Sequence, residues 1–370
     1  MFIFNWEYIF ILFINIISVL ISIPLYKRYL YTGKVQNAIG FLIIPVLVYV
    51  LFWGFRIDVG TDYEAYCNAF QIISNGFYAD YEFGFFALCE FLSSLGFTSI
   101  SLFVVVSFIQ IVSILCLPTN NSVYEKVFDV FFAYTCTVFF FQNGLRQSVA
   151  MSMFLFFLAY FKKNGKYLLI ACLAVFIGFS FHKSIVFPVA IVALIFFLPR
   201  YIPPTLPTII IIGITNIIGV LYPSLINDVI GSISIVQDVY GSEAQKYFIY
   251  GGVAQDRGFG WIIIMLLSFI PILYKDHIVN KNDNSYLFYW MFLIGESFRQ
   301  FFASNLAFNR VNMYFLLADI YIYSKACGYF YKNKTNTILL YAIVAFYLII
   351  FISGVLNGEN GVGVYENDLL

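Results

Sequence analysis

Charged residues are scarce in this chain. Asp, Glu, Lys and Arg make up 11% of its 370 residues, whereas 62% of the residues are hydrophobic. Soluble domains carry about 25% charged residues, so the composition excludes a soluble globular protein. Together with a mean hydropathy of +0.87, the shortage of charge predicts a polytopic membrane protein.

The chain also lacks an excess of charge of either sign. Its 20 basic and 20 acidic residues give a net charge of zero near neutral pH. Proteins that bind nucleic acid hold its phosphates with an excess of Lys and Arg, so nucleic acid is not an expected partner. No polar block is long enough for a separate soluble domain, and residues 1–370 are predicted to form a single integral membrane domain.

Patterns that bind metals are missing as well. The six cysteines form neither a C-x-x-C pair nor a Cys/His ligand spacing, and the chain has only two histidines. No metal site is therefore predicted. Most of the cysteines lie in apolar runs, where free Cys usually acts as a small hydrophobic residue.

Long apolar runs are abundant. A helix needs about 20 apolar residues to cross a bilayer, and the first run, at 1–26, lacks the basic start of a signal peptide. The predicted spans are 2–25, 37–55, 98–117, 124–142, 145–161, 167–181, 184–199, 206–222, 259–274, 285–303, 310–327 and 337–354. The predicted fold class is an all-α polytopic membrane protein with about 12 transmembrane helices.

A shorter apolar run at 83–96 is predicted to be a re-entrant or interfacial helix that does not cross. With that assumption, 13 of the 20 Lys and Arg residues, Lys126 and Lys325 among them, fall in loops at one face. The positive-inside rule makes this face cytoplasmic and places both termini outside. Two longer segments, 56–82 and 223–258, then become outer loops, expected to act as lids or binding loops over a membrane cavity.

Arg146 interrupts an apolar run from Val127 to Phe161. As a helix this run would be roughly 50 Å long, which is too long for one crossing of a core about 30 Å thick. We therefore predict a helical hairpin that turns at 142–144 and puts Arg146 in the first turn of the returning helix. A guanidinium at a helix N-terminus suits phosphate; the alternative is an arginine that reaches lipid headgroups.

The outer face carries mainly arginine, whereas the inner face carries mainly lysine. The outer arginines are Arg56, Arg146, Arg257, Arg299 and Arg310. Membrane topology requires positive charge only on the inside, and the planar guanidinium suits bidentate binding of phosphate or carboxylate. The pattern therefore predicts an anion site on the outer face.

Candidate bases lie in the same outer segments. Asp58 and Asp62 follow Arg56 in "GFRIDVGTDYEAY", where the alternative is a solvated loop whose acids pair with that arginine. His182, in "GFSFHKSIVFP", lies at the outer end of a helix. Histidine is the usual general base near neutral pH, although a structural role is the alternative. Glu296 and Arg299 are three residues apart on a predicted helix, so they are expected to pair.

Taken together, these segments resemble the EpsG-type branch of the Wzy polysaccharide (O-antigen) polymerases. The matching motifs are "FRIDVGTDYEAY", "YEFGF" at 81–85, "NGLRQSVAMSMF", "SFHKS", "KYFIY" at 246–250 and "NRVNMYF" at 309–315. The resemblance implies a bacterial inner-membrane glycosyltransferase with a periplasmic active site. Such an enzyme transfers a growing chain from undecaprenyl pyrophosphate to the next lipid-linked repeat unit, and neither a nucleotide sugar, a metal nor another cofactor is expected.

This chemistry assigns roles to the candidate residues. Pyrophosphate is the leaving group, and its developing charge is expected to be stabilised by Arg56, Arg146 and Arg310, with Arg299 and Arg257 behind them. The expected base is His182, with Asp62 or Asp58 as the alternatives. Expected sugar-binding residues are Gln147, Tyr63, Tyr247, Tyr250 and Glu296. The expected partners are the lipid-linked oligosaccharide donor and acceptor, the lipid bilayer and a chain-length regulator.

Two other functions account for part of the sequence. A flippase or exporter of lipid-linked oligosaccharide would have a similar number of helices, but its path needs polar residues at mid-membrane depth, whereas the charges here cluster at one face. A membrane O-acyltransferase would use His182, but it offers no reason for so many outer arginines.

Overall fold

The computed structural model of the chain is all-α, as the sequence predicts, with one short pair of strands. It describes residues 5–118, 123–161, 165–197, 200–223, 225, 260–303, 305–334, 336–359, 365–367 and 369. Two compact units are present. Unit 1 comprises Met1–Val186 and Tyr323–Leu370, and unit 2 comprises Phe187–Ile322.

The helices of the first half are α1 (Trp6–Thr32), α2 (Val35–Gly54), α3 (Tyr63–Ser74), α4 (Phe83–Ser94), α5 (Ile100–Leu115), α6 (Glu125–Asn143), α7 (Leu145–Tyr160) and α8 (Gly165–Phe181). A 3-10 turn at Lys183–Ile185 follows α8. The remaining helices are α9 (Val186–Phe197), α10 (Thr205–Leu221), α11 (Gly260–Leu273), α12 (Lys275–Ile278), α13 (Ser285–Phe302), α14 (Leu306–Leu316), α15 (Ala318–Asn333) and α16 (Thr337–Leu356). The strands are β1 (Arg56–Ile57) and β2 (Glu366–Asn367).

Every predicted span contains a helix, because a long apolar run forms a helix whatever its neighbours are. The run at 310–327 differs in detail, since α14 ends at Leu316 and α15 begins at Ala318. Among the described helices, α1, α2 and α16 are long and apolar enough to cross a membrane by length and composition. The number of crossings thus stays a prediction for the shorter apolar helices.

The hairpin predicted around Arg146 has its break where expected. Helix α6 ends at Asn143, α7 begins at Leu145, and Gly144 lies between them. Behind the break, the buried side chain of Gln110 on α5 donates to Ser148 Oγ at 2.9 Å and to the Phe141 carbonyl at 3.1 Å. The second bond satisfies a carbonyl in the last turn of α6, and Ser148 Oγ also donates to the Leu145 carbonyl at 2.8 Å.

The predicted outer loop at 56–82 contains an amphipathic helix, α3, which buries Tyr66, Ala69, Phe70 and Ile73 along one face. After it, α4 has 12 residues. A helix of this length extends about 18 Å, the same as α9, so the expectation that α4 does not cross stays a prediction.

The C-terminal residues pack against the end of α2. Strand β2 pairs antiparallel with β1, so that Arg56 lies opposite Asn367. The Tyr365 hydroxyl donates to the Phe52 carbonyl at 2.5 Å, and Asn367 Nδ2 donates to the Leu51 carbonyl at 2.9 Å. The tail thereby satisfies carbonyl groups that the last turn of a helix leaves unpaired.

Two lysines assigned to cytoplasmic loops are instead inside unit 1. Lys126 and Lys325 are each 1% exposed. Lys126 pairs with Asp129 at 3.3 Å, and Lys325 Nζ lies 3.8 Å from Glu125 Oε2. The count of loop charges assumed that every lysine near a helix end is exposed, whereas carboxylate partners allow these two to be buried.

Candidate functional site

Residues 56–62 fold onto the break between α6 and α7. Asn143 Oδ1 accepts hydrogen bonds from Thr61 Oγ1 at 2.6 Å and from the Asp62 amide at 3.0 Å. Gly60 has a φ of +104°, and a Cβ at that position would lie 3.0 Å from the Gln142 carbonyl oxygen. Only glycine combines that backbone conformation with so close an approach. The two motifs "FRIDVGTDY" and "QNGLR" therefore form one structural unit.

Arg56 holds this unit together and is fully buried. Its guanidinium donates to the carbonyls of Val59 at 3.3 Å, Gln142 at 3.1 Å and Trp53. Its Cζ lies 4.7 Å from the centre of the Phe103 ring, and burial lowers the pKa of Arg56 to about 10. A buried guanidinium already engaged with three carbonyls leaves no access for a phosphate, so the predicted pyrophosphate role of Arg56 disagrees with its geometry.

Arg146 lies in the first turn of α7, as predicted, and has three partners. Its Nη1 forms an ion pair with Glu82 Oε2. Its Cζ lies over the Tyr81 ring, 4.7 Å from the ring centre, and its charge acts on the buried hydroxyl of Tyr66. The side chain keeps 29% of its surface exposed, so a ligand can still approach it.

His182 reaches the same carboxylate from the other side. Its Nδ1 lies 3.0 Å from Glu82 Oε1, and 24% of its side chain is exposed. Among the described residues, Nε2 of this ring has no hydrogen-bond partner. The arginine and the histidine predicted on separate grounds thus meet at one acid.

Glu82 is the residue at the centre of this site, although it is not among the site residues predicted from the sequence. Burial by itself would raise the pKa of Glu82, but the hydrogen bond from His182, a backbone hydrogen bond and the charge of Arg146 together lower it to about 2. The group is therefore a carboxylate at neutral pH. Because an ionised carboxylate only accepts hydrogen bonds, Nδ1 of His182 must carry the proton, which leaves Nε2 as the acceptor in the neutral ring.

Gly84 brings Glu82 to the histidine. A Cβ at this position would lie 2.9 Å from the carbonyl carbon of Ser180, on the last turn of α8. The close approach of α4 to α8 places Glu82, at the start of α4, beside His182, just after α8. The motif "YEFGF" at 81–85 contains the acid, the stacking tyrosine and this glycine, and it was the signal available in the sequence.

The two predicted acids of the first motif differ. Asp58 is exposed and has a φ of +49°, which Asp tolerates better than most residues. Asp62 is half-buried at the start of α3. Burial raises the pKa of Tyr66, and the negative charge of Asp62 raises that pKa further. The positive charge of Arg146 acts in the opposite direction and lowers it. Asp62 is thus close enough for its charge to act on the Tyr66 hydroxyl.

The predicted sugar-binding residues have various surroundings. Tyr63 stacks on Phe103 at a ring distance of 4.7 Å, which covers part of its ring. Gln147 is 5% exposed on α7. Glu296 is 1% exposed, so its predicted sugar contact disagrees with its burial. The predicted residues Arg257, Tyr247 and Tyr250 lie outside the described residues.

The remaining predicted arginines belong to unit 2. Arg299 pairs with Glu296 as expected: Nε donates to Oε2 at 3.1 Å and Nη2 donates to Oε1 at 2.7 Å. Asp319 forms a second ion pair with Arg299. Two carboxylates on one guanidinium leave this cluster without the positive charge that a pyrophosphate site needs, which disagrees with the prediction. Arg310 is exposed on α14.

Within the described parts of the chain, no group of three or more His, Cys, Asp or Glu side chains is arranged to hold a metal ion. The site around the Arg146 cation contains one carboxylate, from Glu82, one imidazole, from His182, and two tyrosines, Tyr66 and Tyr81. This arrangement suits an anion and a proton acceptor side by side.

Comparison with known proteins places the site in a family context. The model of the EpsG family matches residues 39–367, a range that includes Glu82, Arg146 and His182. No curated protein and no solved structure matches the chain.

Proposed function

Because the chain belongs to the EpsG family, we propose that it is a polysaccharide polymerase that joins lipid-linked repeat units by glycosyl transfer. The family is one of polymerase-type membrane proteins, and the apolar helices of this chain agree with that class. The observation that carries the proposal is the meeting of Arg146 and His182 at Glu82. An anion-binding cation and a proton acceptor are the two groups that transfer from a diphosphate requires.

The proposed substrates are oligosaccharide units attached to undecaprenyl pyrophosphate. A hydroxyl oxygen of the acceptor attacks the anomeric carbon of the donor, and a new C–O bond forms there. The bond from that carbon to the diphosphate oxygen breaks, and undecaprenyl pyrophosphate leaves with the electron pair. His182 Nε2 takes the hydroxyl proton, and Arg146 stabilises the charge on the leaving diphosphate.

The proposed location is the bacterial inner membrane, with twelve crossings and the site on the periplasmic side. In that arrangement the segment at 56–94 covers the site, and the substrates enter from the lipid bilayer. A chain-length regulator is a proposed partner. The reaction as written uses neither a metal nor a nucleotide sugar.

The test replaces Arg146 with Ala and with Lys in a host that lacks its own polymerase. We expect the ladder of surface polysaccharide to be lost with Arg146→Ala and reduced with Arg146→Lys, because lysine offers a point charge in place of a planar fork. Lys183→Ala is the matched control, since it removes an exposed cation next to His182. A normal ladder in both Arg146 variants would contradict a phosphate role.

The same host separates the two rival functions. A strain without a polymerase still displays single repeat units, whereas a strain without a flippase accumulates units that never reach the outer face. Loss of an acyltransferase would change the acetyl content of the polysaccharide and leave its length unaltered. Single displayed units with normal acetyl content are the expected result for deletion of this chain.

A further inference from the structure

We propose that Glu82 is a positioning residue that links donor binding to activation of the base. In the free protein its carboxylate occupies the place on Arg146 that the donor diphosphate takes during the reaction. When the diphosphate pairs with Arg146, Glu82 is released to His182 alone. This inference rests on the proposed function and adds a role for a residue that the sequence analysis did not assign.

One carboxylate, that of Glu82, is shared between two partners. Oε2 pairs with Arg146 Nη1, and Oε1 accepts from His182 Nδ1 at 3.0 Å. Arg146 has no other carboxylate partner among the described residues, and Glu82 neutralises it. With Glu82 in place the pair has no net charge, so an incoming diphosphate has to displace Oε2 to gain the full attraction of the guanidinium.

The same carboxylate determines which nitrogen of His182 acts as the base. Hydrogen-bonding of Nδ1 to a carboxylate keeps the proton on Nδ1 and turns Nε2 into the acceptor for the hydroxyl proton. The same carboxylate stabilises the imidazolium that forms when the proton arrives. This stabilisation of the imidazolium is weaker while Glu82 is also paired with Arg146. It is stronger once the diphosphate has replaced Glu82 as the partner of Arg146.

The consequence is an order of events. The base reaches its full strength only when a lipid diphosphate is bound, because the exchange of partners at Arg146 releases the acid. Tyr81 supports the exchange, since its ring lies 4.7 Å from Arg146 Cζ and holds the guanidinium in position while its anionic partner changes.

The test measures elongation of a lipid-linked repeat unit in detergent by wild type, Glu82→Gln and Glu82→Asp, with inorganic pyrophosphate as a competing anion. In Glu82→Gln we expect at least threefold stronger inhibition by pyrophosphate and a lower donor KM, because the competing carboxylate is gone. We also expect kcat to fall by about 100-fold, since a positioned general base contributes roughly 10²–10⁴-fold. Glu90→Gln is the matched control, because Glu90 is exposed on the same helix.

A role of Glu82 in packing alone predicts a different result. It would lower the amount of inserted protein without strengthening pyrophosphate inhibition, and that outcome overturns the inference. The pH profile gives a second readout: the acidic limb of kcat is expected at lower pH in Glu82→Gln, because a neutral amide no longer stabilises the imidazolium. An unmoved limb also counts against the inference.

Glu82→Asp keeps the test decisive should the Gln variant fail to insert. Aspartate retains the charge, so pyrophosphate inhibition is expected to stay within twofold of wild type. Its shorter side chain draws the carboxylate back from His182, so kcat is expected to fall by up to about 100-fold. A marked gain in pyrophosphate inhibition would refute the link. Failure of the proposed function would be distinct, because the wild type itself would not elongate the repeat unit.

Discussion

Arg56 Nη2 donates to the Gln142 carbonyl at 3.1 Å, although the two residues are 86 positions apart in the chain. This bond joins the segment after α2 to the break that exposes Arg146 on α7. Arg56, which the sequence predicts to bind substrate, is thus a structural residue that fixes the position of the α6–α7 break.

Replacing Arg56 with Ala is expected to destabilise the fold by about 3 kcal/mol, because three buried carbonyls lose their donor. Thermal unfolding in detergent measures the change. Arg28→Ala serves as the control, since Arg28 is exposed near the end of α1 and its loss should cost less than about 0.5 kcal/mol. If Arg56→Ala has normal stability but a raised donor KM, Arg56 binds the donor pyrophosphate and is not a structural residue.

Gly84→Ala is expected to lower kcat by about 100-fold while the protein still inserts. The added Cβ meets the carbonyl carbon of Ser180 at 2.9 Å, so α4 must move away from α8 and take Glu82 with it. A displacement of about 1 Å in a catalytic group can cost this much. Gly213→Ala is the control, because a Cβ there has no atom within 4 Å and the residue lies in α10. Equal activity of the two variants would contradict the positioning role of α4.

Arg299→Ala is expected to destabilise unit 2 by about 3–5 kcal/mol, because it leaves Glu296 and Asp319 buried without their cation. Adding Asp319→Asn should recover part of this loss, since one of the uncompensated charges disappears. Thermal unfolding of the single and double variants gives the coupling between the residues. Additive effects would show that the ion pairs are not coupled.

The stabilising effect of Glu82 should depend on pH in a particular window. Its pKa is lowered from 4.5 to about 2, so the folded state binds the proton less readily than the unfolded state does. The resulting stability is fully present above pH 4.5 and is lost as the pH falls towards 2. We expect the difference in Tm between wild type and Glu82→Gln to shrink as the pH falls below 4.5. A difference that stays constant down to pH 3 would be evidence against a lowered pKa.

Local properties of the sequence determined the fold class. The length of each apolar run decides that a helix forms there, because the backbone in an apolar environment must satisfy its own hydrogen bonds. The same local reasoning located the break at 142–144, the position of Arg146 in the first turn of α7, and the pairing of Glu296 with Arg299. Each of these depends on residues within a few helical turns of one another.

Only the tertiary structure decided which of the candidates share a site. Glu82 is 64 residues from Arg146 and 100 residues from His182, and no spacing rule connects positions so far apart. Burial could not be predicted either: Arg56, Lys126 and Lys325 are charged residues that the sequence alone assigns to the surface, yet all three are buried. Arg56 and Lys325 each have a partner on a distant element, the Gln142 carbonyl and Glu125, and such a charge can be buried only after folding has brought that partner to it.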